Sequence, residues 1–315
     1  GTNCTADEIS FLRGTDIICI KGTTEENSVS IVVKNNDGFY AALYEAEADE
    51  NGEFSAEFKL GETLGSGTYT ASAFENEIES NFKFRYINEK EAAPVFIKLE
   101  KADNFNEFKN ILLSDGDKVG LSQNDQVFVN ETLYGFLKNK RLNSKVFLSE
   151  LIGTEIIYNI SKENSKEALN MLSVNAVFLE INENDFFKLA TKKRENILEQ
   201  LNKLSGFTSF KELFDEASFL GLVNTASGRD ELREIVENTA NFTGINLSDF
   251  KKIKYPENVL IALLNKSDGY SSSMEFKKKF DSEVLAQQKK EQKKNESSSS
   301  GGGTNSGGRG IISEE

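Results

Sequence analysis

The sequence predicts a multidomain chain: an all-β sandwich, then an all-α array of helical repeats, then a disordered Ser/Gly-rich tail. Three observations predict it. Over residues 8–93 short β-branched and aromatic runs alternate with turn signals. From about residue 96 the apolar period changes from two to three-and-four. Beyond residue 295 Ser and Gly take over, and they carry too little apolar surface to repay ordering.

Residues 1–7 are read as a disordered start. In the first folded region, strands are expected at Ile17–Lys21, Val29–Lys34, Tyr40–Glu47, Glu53–Leu60, Thr68–Phe74 and Asn81–Ile87. Asp49-Glu50-Asn51-Gly52 supplies the positive φ that a tight hairpin turn needs. After that turn Phe54, Ala56 and Phe58 fall on one face, and Glu53, Ser55 and Glu57 fall on the other. Six or seven short strands in about 85 residues fit a sandwich. Pro94 is read as the break between this region and the next, because proline cannot donate to a strand ladder.

The stretch ENGEFSAEFKLGETLGSGTYTASAF, Glu50 to Phe74, resembles the closing half of bacterial immunoglobulin-like modules in exported surface proteins. The resemblance implies an immunoglobulin-like sandwich in which Tyr69 covers an edge and its hydroxyl bonds to backbone.

The helical region, 96–292, carries internal recurrences. INENDFFKL from Ile181 returns as INLSDFKKI from Ile245. Leu201-Asn202-Lys203 returns as Leu264-Asn265-Lys266, and Gly206-Phe207 as Gly269-Tyr270. FKELFD from Phe210 returns as FKKKFD from Phe276, which reads as a short insertion in the second copy. These define expected units of about 63 residues at 144–206 and 207–269. Each unit stacks apolar stripes that it cannot bury alone. The alternative is one helical domain with an internal duplication. This part is similar, through Leu222–Glu237, to repeats beside immunoglobulin-like modules in surface proteins of clostridia and related Gram-positive bacteria. Such proteins often end in S-layer homology domains.

Residues 295–315 are expected to be a flexible linker. The chain opens at Gly1-Thr2-Asn3 and closes in low-complexity sequence, so it is expected to be a segment of something longer.

Composition narrows the chemistry. The 315 residues hold 37 basic and 51 acidic side chains, a net charge of −14, with no His and no Trp. That balance disfavours nucleic acid and anionic membranes as partners, and no apolar run spans a bilayer. Without His, Ser-His and Cys-His nucleophilic systems are excluded. Cys19 sits in an apolar run and reads as a buried hydrophobe. A Cys4–Cys19 disulfide is the alternative.

Asp215 with Glu216 and Asp230 with Glu231 are carboxylate pairs of the kind used in acid–base chemistry, but solvated helix faces explain them better. Gly61-x-x-x-Gly65-Ser66-Gly67 lacks the Lys and the following helix of a phosphate loop. Asp37, Asp49, Glu50 and Asn51 offer oxygen ligands for calcium, but no spaced loop holds them. The basic run Lys289–Lys294 contains Glu291 and reads as a solvated helix end. No catalytic, cofactor-binding or metal residues are therefore assigned, and no cofactor is expected.

The expectation is a non-enzymatic structural and interaction segment of a secreted bacterial cell-surface protein, in the cell wall or S-layer. Its partners would be other surface proteins or cell-wall polymer, reached through neighbouring domains. The alternatives are an adhesin or glycan-binding module, or an accessory region of a large extracellular glycan-degrading enzyme.

Overall fold

The computed structural model describes residues 11–13, 18–59, 64–75 and 78–299. The chain divides into two compact units: 1–194 with 201–215, and 195–200 with 216–315.

The described residues of the first unit open with seven strands: β1 (Phe11–Arg13), β2 (Ile18–Thr23), β3 (Ser28–Asn35), β4 (Tyr40–Glu47), β5 (Glu53–Phe58), β6 (Gly67–Glu75) and β7 (Ile78–Ile87). Five form a sheet in the order β1-β7-β6-β3-β4, and β2 and β5 form a separate antiparallel pair. Within the larger sheet β1 joins β7 in parallel, and the other pairings are antiparallel. The β4–β5 hairpin closes as its sequence requires. Gly52 has φ +77°, and a Cβ there would lie 2.4 Å from the Thr24 carbonyl oxygen. Alternation places Val29, Ile31, Val33, Tyr69, Ala71, Phe84 and Tyr86 on one face of the sheet. They form a single core with Ile20, Phe54, Ala56 and Phe58 of the small pair.

Among the described residues twelve α-helices follow: α1 (Glu89–Glu100), α2 (Phe105–Asp115), α3 (Glu131–Leu137), α4 (Ser144–Ser161), α5 (Ser165–Val174), α6 (Glu183–Phe187), α7 (Thr191–Lys203), α8 (Phe210–Val223), α9 (Arg229–Thr243), α10 (Leu247–Lys251), α11 (Pro256–Leu264) and α12 (Ser273–Ser299). Asparagine is the recurrent N-cap. Asn88, Asn104, Asn130, Asn143, Asn164, Asn182 and Asn246 each accept from a backbone N–H of the first turn.

The expected fold class is corrected by this architecture. Among the described residues the chain is not an immunoglobulin-like sandwich joined to a separate helical-repeat domain, and the expected tail beyond Ser299 lies outside them. It is a small β region followed by a mostly helical body. The strands divide five against two, so the second layer is a single hairpin-sized pair and not a full opposing sheet. The sheet also has no separate existence from the first helices. β7 enters α1 through one cap residue, Asn88, and Ile87 is buried in the helical core with Val95, Phe96, Leu112 and Leu121.

Pro94 therefore marks no linker; it lies inside α1. Its missing N–H forfeits a single helical bond near the helix start. The buried face of Ala92, Val95, Phe96 and Leu99 holds the helix regardless. The recurrent 63-residue segments are not the compact units either, since the unit bounds cut through α7 and α8. α12 runs to Ser299, past the start of the expected linker.

Local features nonetheless recur. Asn182 and Asn246 cap α6 and α10 alike, burying Phe186 and Phe250. Gly206 and Gly269 both have positive φ, at +85° and +66°. Thr208 bonds Glu212 through its N–H and hydroxyl, and Ser271 bonds Glu275 in the same way, 63 residues later. The start of α12 thus needs no insertion, although the FK motif lies three residues late. One equivalence shifts: Leu201 is fully buried, but its counterpart is Leu263, with Leu264 half-buried.

Candidate functional site

Among the described residues, three large apolar side chains are exposed together at the start of β4, a terminal strand of the five-stranded sheet. Phe39, Tyr40 and Leu43 are 70%, 75% and 70% exposed. The β3–β4 turn places them there: Asn35 accepts from the N–H groups of Asp37 and Phe39, which starts β4 at Tyr40. A bulge between Val33 and Lys34 shifts the register, so that Lys34 faces Tyr40 while Val33 faces Ala42. The Lys34 ammonium sits 5.0 Å from the Tyr40 ring centre. Farther along, Tyr44 turns inward, stacks on Phe58 and donates to the Lys59 carbonyl, and burial raises the pKa of its phenol. Beyond the bulge β4 presents Glu45 and Glu47 to solvent.

Buried charge is the second feature of the first unit. Arg85, on the face of β7 opposite the sheet core, donates to Asp125 at 2.7 Å and to Glu155 of α4 at 2.5 Å. Asp125 also accepts from the Ser122 N–H, closing a capping box. Burial raises the pKa of Glu155, and Arg85 opposes the shift. One turn earlier in α4, Glu150 accepts from Lys140 and from the Phe210 N–H at the start of α8, both at 2.8 Å. Burial raises its pKa too, against the pull of those two donors.

In the second unit, Glu216 accepts from the N–H and hydroxyl of Ser273, which opens α12. A long helix thus carries a buried carboxylate on its second turn that caps a later helix, once in each unit. The Asn224 amide exchanges two hydrogen bonds with the Tyr270 backbone.

The residues weighed from sequence do not converge. Asp215 pairs with Lys211, while Glu216 is bonded to Ser273. Glu231 accepts from the N–H and hydroxyl of Ser227, an N-terminal brace of α9. The Asp49 carboxylate accepts from the Asn51 and Glu53 N–H groups and closes the hairpin turn. Among the described residues no three His, Cys, Asp or Glu side chains gather as a metal site. The Tyr69 hydroxyl donates to the Gly65 carbonyl at 2.7 Å. Gly61 and the proposed Cys4–Cys19 pairing lie outside the described residues. The basic run lies on α12, where Glu291 accepts from the Lys254 and Tyr255 N–H groups.

No family model and no curated protein matches this sequence. Sequence reasoning missed the buried role of Glu150, Glu155 and Glu216, because a lone acidic residue on a helix carries no mark of burial. The β4 edge had a signal in Phe39-Tyr40-Ala41-Ala42-Leu43, an apolar run too continuous for a half-solvated strand. Among the described residues no helix is long and apolar enough to cross a membrane.

Proposed function

We propose that this chain is a non-catalytic structural and interaction segment, a spacer and protein-contact module whose contact face is the β4 edge. The observation that carries the reading is the exposure of Tyr40 and Leu43 on a terminal strand and of Phe39 just before it. Exposed edges are normally blunted by charge, proline or bulges, and an apolar one favours pairing with another chain. The bulge at Val33/Lys34 leaves Ala42–Glu47 as the regular stretch for such pairing. Glu45 and Glu47 there select an extended partner segment carrying Lys or Arg. The structural half of the reading is supported by the buried carboxylates, whose observed partners are helix starts and neighbouring cations of the same unit.

The same reading places the segment outside a bacterial cell, in the wall or S-layer, with other surface proteins or wall polymer reached through neighbouring domains. Its support is the local resemblance of the Glu50–Phe74 sequence, in which the Tyr69 hydroxyl donates to the Gly65 carbonyl, and not the immunoglobulin-like fold, which this architecture replaces. Surface labelling of intact producing cells tests that setting, and label excluded from the chain counts against it. A photo-crosslinking residue at position 43 of the full chain tests the contact face, with the exposed position 177 as control. One discrete protein adduct is expected at 43 and none at 177, and Leu43→Lys in the unlabelled chain should compete poorly. Equal adducts at both positions, or none at 43, reject the β4 edge as the contact face.

A further inference from the structure

A recess of about 580 Å³ opens in the first unit beside the middle of α3. That volume lies within the roughly 300–1,000 Å³ of small-molecule sites. Its wall draws on Phe136 of α3, Ile157 of α4, Leu201 of α7, and Leu204 and Phe207 of the turn into α8. Lys138, Lys203 and Glu131 line it as well, two cations against one carboxylate, in a chain whose net charge is −14.

Gly135 makes this more than a surface irregularity. It stands within α3, has no positive φ, and a Cβ built there would meet nothing within 4 Å. Neither backbone conformation nor packing calls for glycine, the poorest helix former after proline. Gly153 and Gly221 differ: a Cβ would strike Phe210 at 2.3 Å in one case and Ile197 at 2.5 Å in the other. Those two glycines are accounted for by neighbouring side chains, whereas the space at Gly135 belongs to the recess that it lines.

We infer that this recess binds a small anionic amphiphile, a carboxylate or sulfonate carried on an apolar body. The apolar body lies against the half-buried Ile157, Leu204 and Phe207 and reaches the α3 backbone at Gly135. Lys138 and Lys203 provide the complementary charge. The inference is independent of the β4 edge, which lies on the sheet.

The test titrates the full chain with 1-anilinonaphthalene-8-sulfonate and then displaces it with decanoate. One saturable site per chain is expected, competed by decanoate. Gly135→Leu should weaken both ligands at least tenfold and Lys138→Glu at least threefold. Leu43→Lys, which removes exposed apolar surface from β4, should change neither. Absence of a saturable site, or affinity lost with Leu43→Lys and retained with Gly135→Leu, overturns the inference. Should Gly135→Leu fail to fold, amide shift mapping on the unaltered chain decides. Decanoate-induced shifts at Gly135 and Gly206 support the site, and shifts confined to other residues reject it.

Discussion

Alanine at Gly153 and alanine at Gly135 are the same substitution in two helices of one unit, and the packing gives them opposite signs. At Gly153 the new Cβ would lie 2.3 Å from Phe210 Cγ, 2.4 Å from its Cβ and 2.7 Å from its Cδ2. Carbon atoms rest at about 3.5–4.0 Å, so the ring must retreat by roughly 1 Å. Phe210 is only 1% exposed, and its N–H is held by Glu150 at 2.8 Å. Overpacking of this kind costs about 1–3 kcal/mol, against a helix-propensity gain of about 1 kcal/mol for replacing glycine. The net expectation is a loss of up to about 2 kcal/mol. At Gly135 the gain stands alone, since nothing lies within 4 Å.

With a urea slope of about 1–3 kcal/mol per molar, the two variants should separate by roughly 1 M in midpoint. Urea unfolding followed by circular dichroism measures this directly. Gly221→Ala, whose Cβ meets Ile197 Cγ1 at 2.5 Å and its backbone N and Cα at 3.1 Å, should destabilise the second unit in the same way. A Gly153→Ala midpoint at or above that of Gly135→Ala would refute the reasoning, because then the Phe210 contact is not tight.

Two further expectations concern charge and register. Burial holds the pKa values of Glu150 and Glu155 above the ordinary 4.5, so the folded state binds those protons more tightly than the unfolded chain does. Their contribution therefore falls as pH rises from about 4.5 through the raised values, and the first unit should resist urea better at pH 5 than at pH 7. Glu155→Gln should reduce that difference, and an unchanged slope would remove burial as its cause. Asp115 and Glu275 act the other way: hydrogen bonds from Lys118 and from Ser271, respectively, hold each at about 2. Their stabilisation is present above the unfolded values near 4 and is lost as pH falls toward 2. In the second unit, Leu263→Asp should cost several kcal/mol, about 3 or more for a charge buried without a partner. Leu264→Asp, at a half-buried position, should cost markedly less, and equal thermal shifts would put the register of α11 in error.

How much of this was legible in the sequence differs by range of interaction. The hairpin at Asp49–Gly52 and the strand at Tyr40–Glu47 were readable, because each depends on residues close in sequence, whereas a cap expected at Ser248 and Asp249 belongs instead to Asn246. The recurrence of Gly206 and Gly269 was readable for the same reason: both supply a positive φ to a local turn. The division of strands into five and two was not, because pairing partners such as β2 and β5 lie thirty or more residues apart. Pro94 was misplaced because a proline near a helix start and a proline in a linker look alike until the buried face of α1 is known. Burial of Glu150 and Glu155 was likewise decided by Phe210 and Arg85, each at least sixty residues away. Sequence thus determined the turns and the period of each segment, where backbone geometry is set by neighbours. Only tertiary structure decided which glycine faces a phenylalanine, which carboxylate is capped inside, and which strand is left at the edge, because those outcomes depend on what the rest of the chain brings alongside.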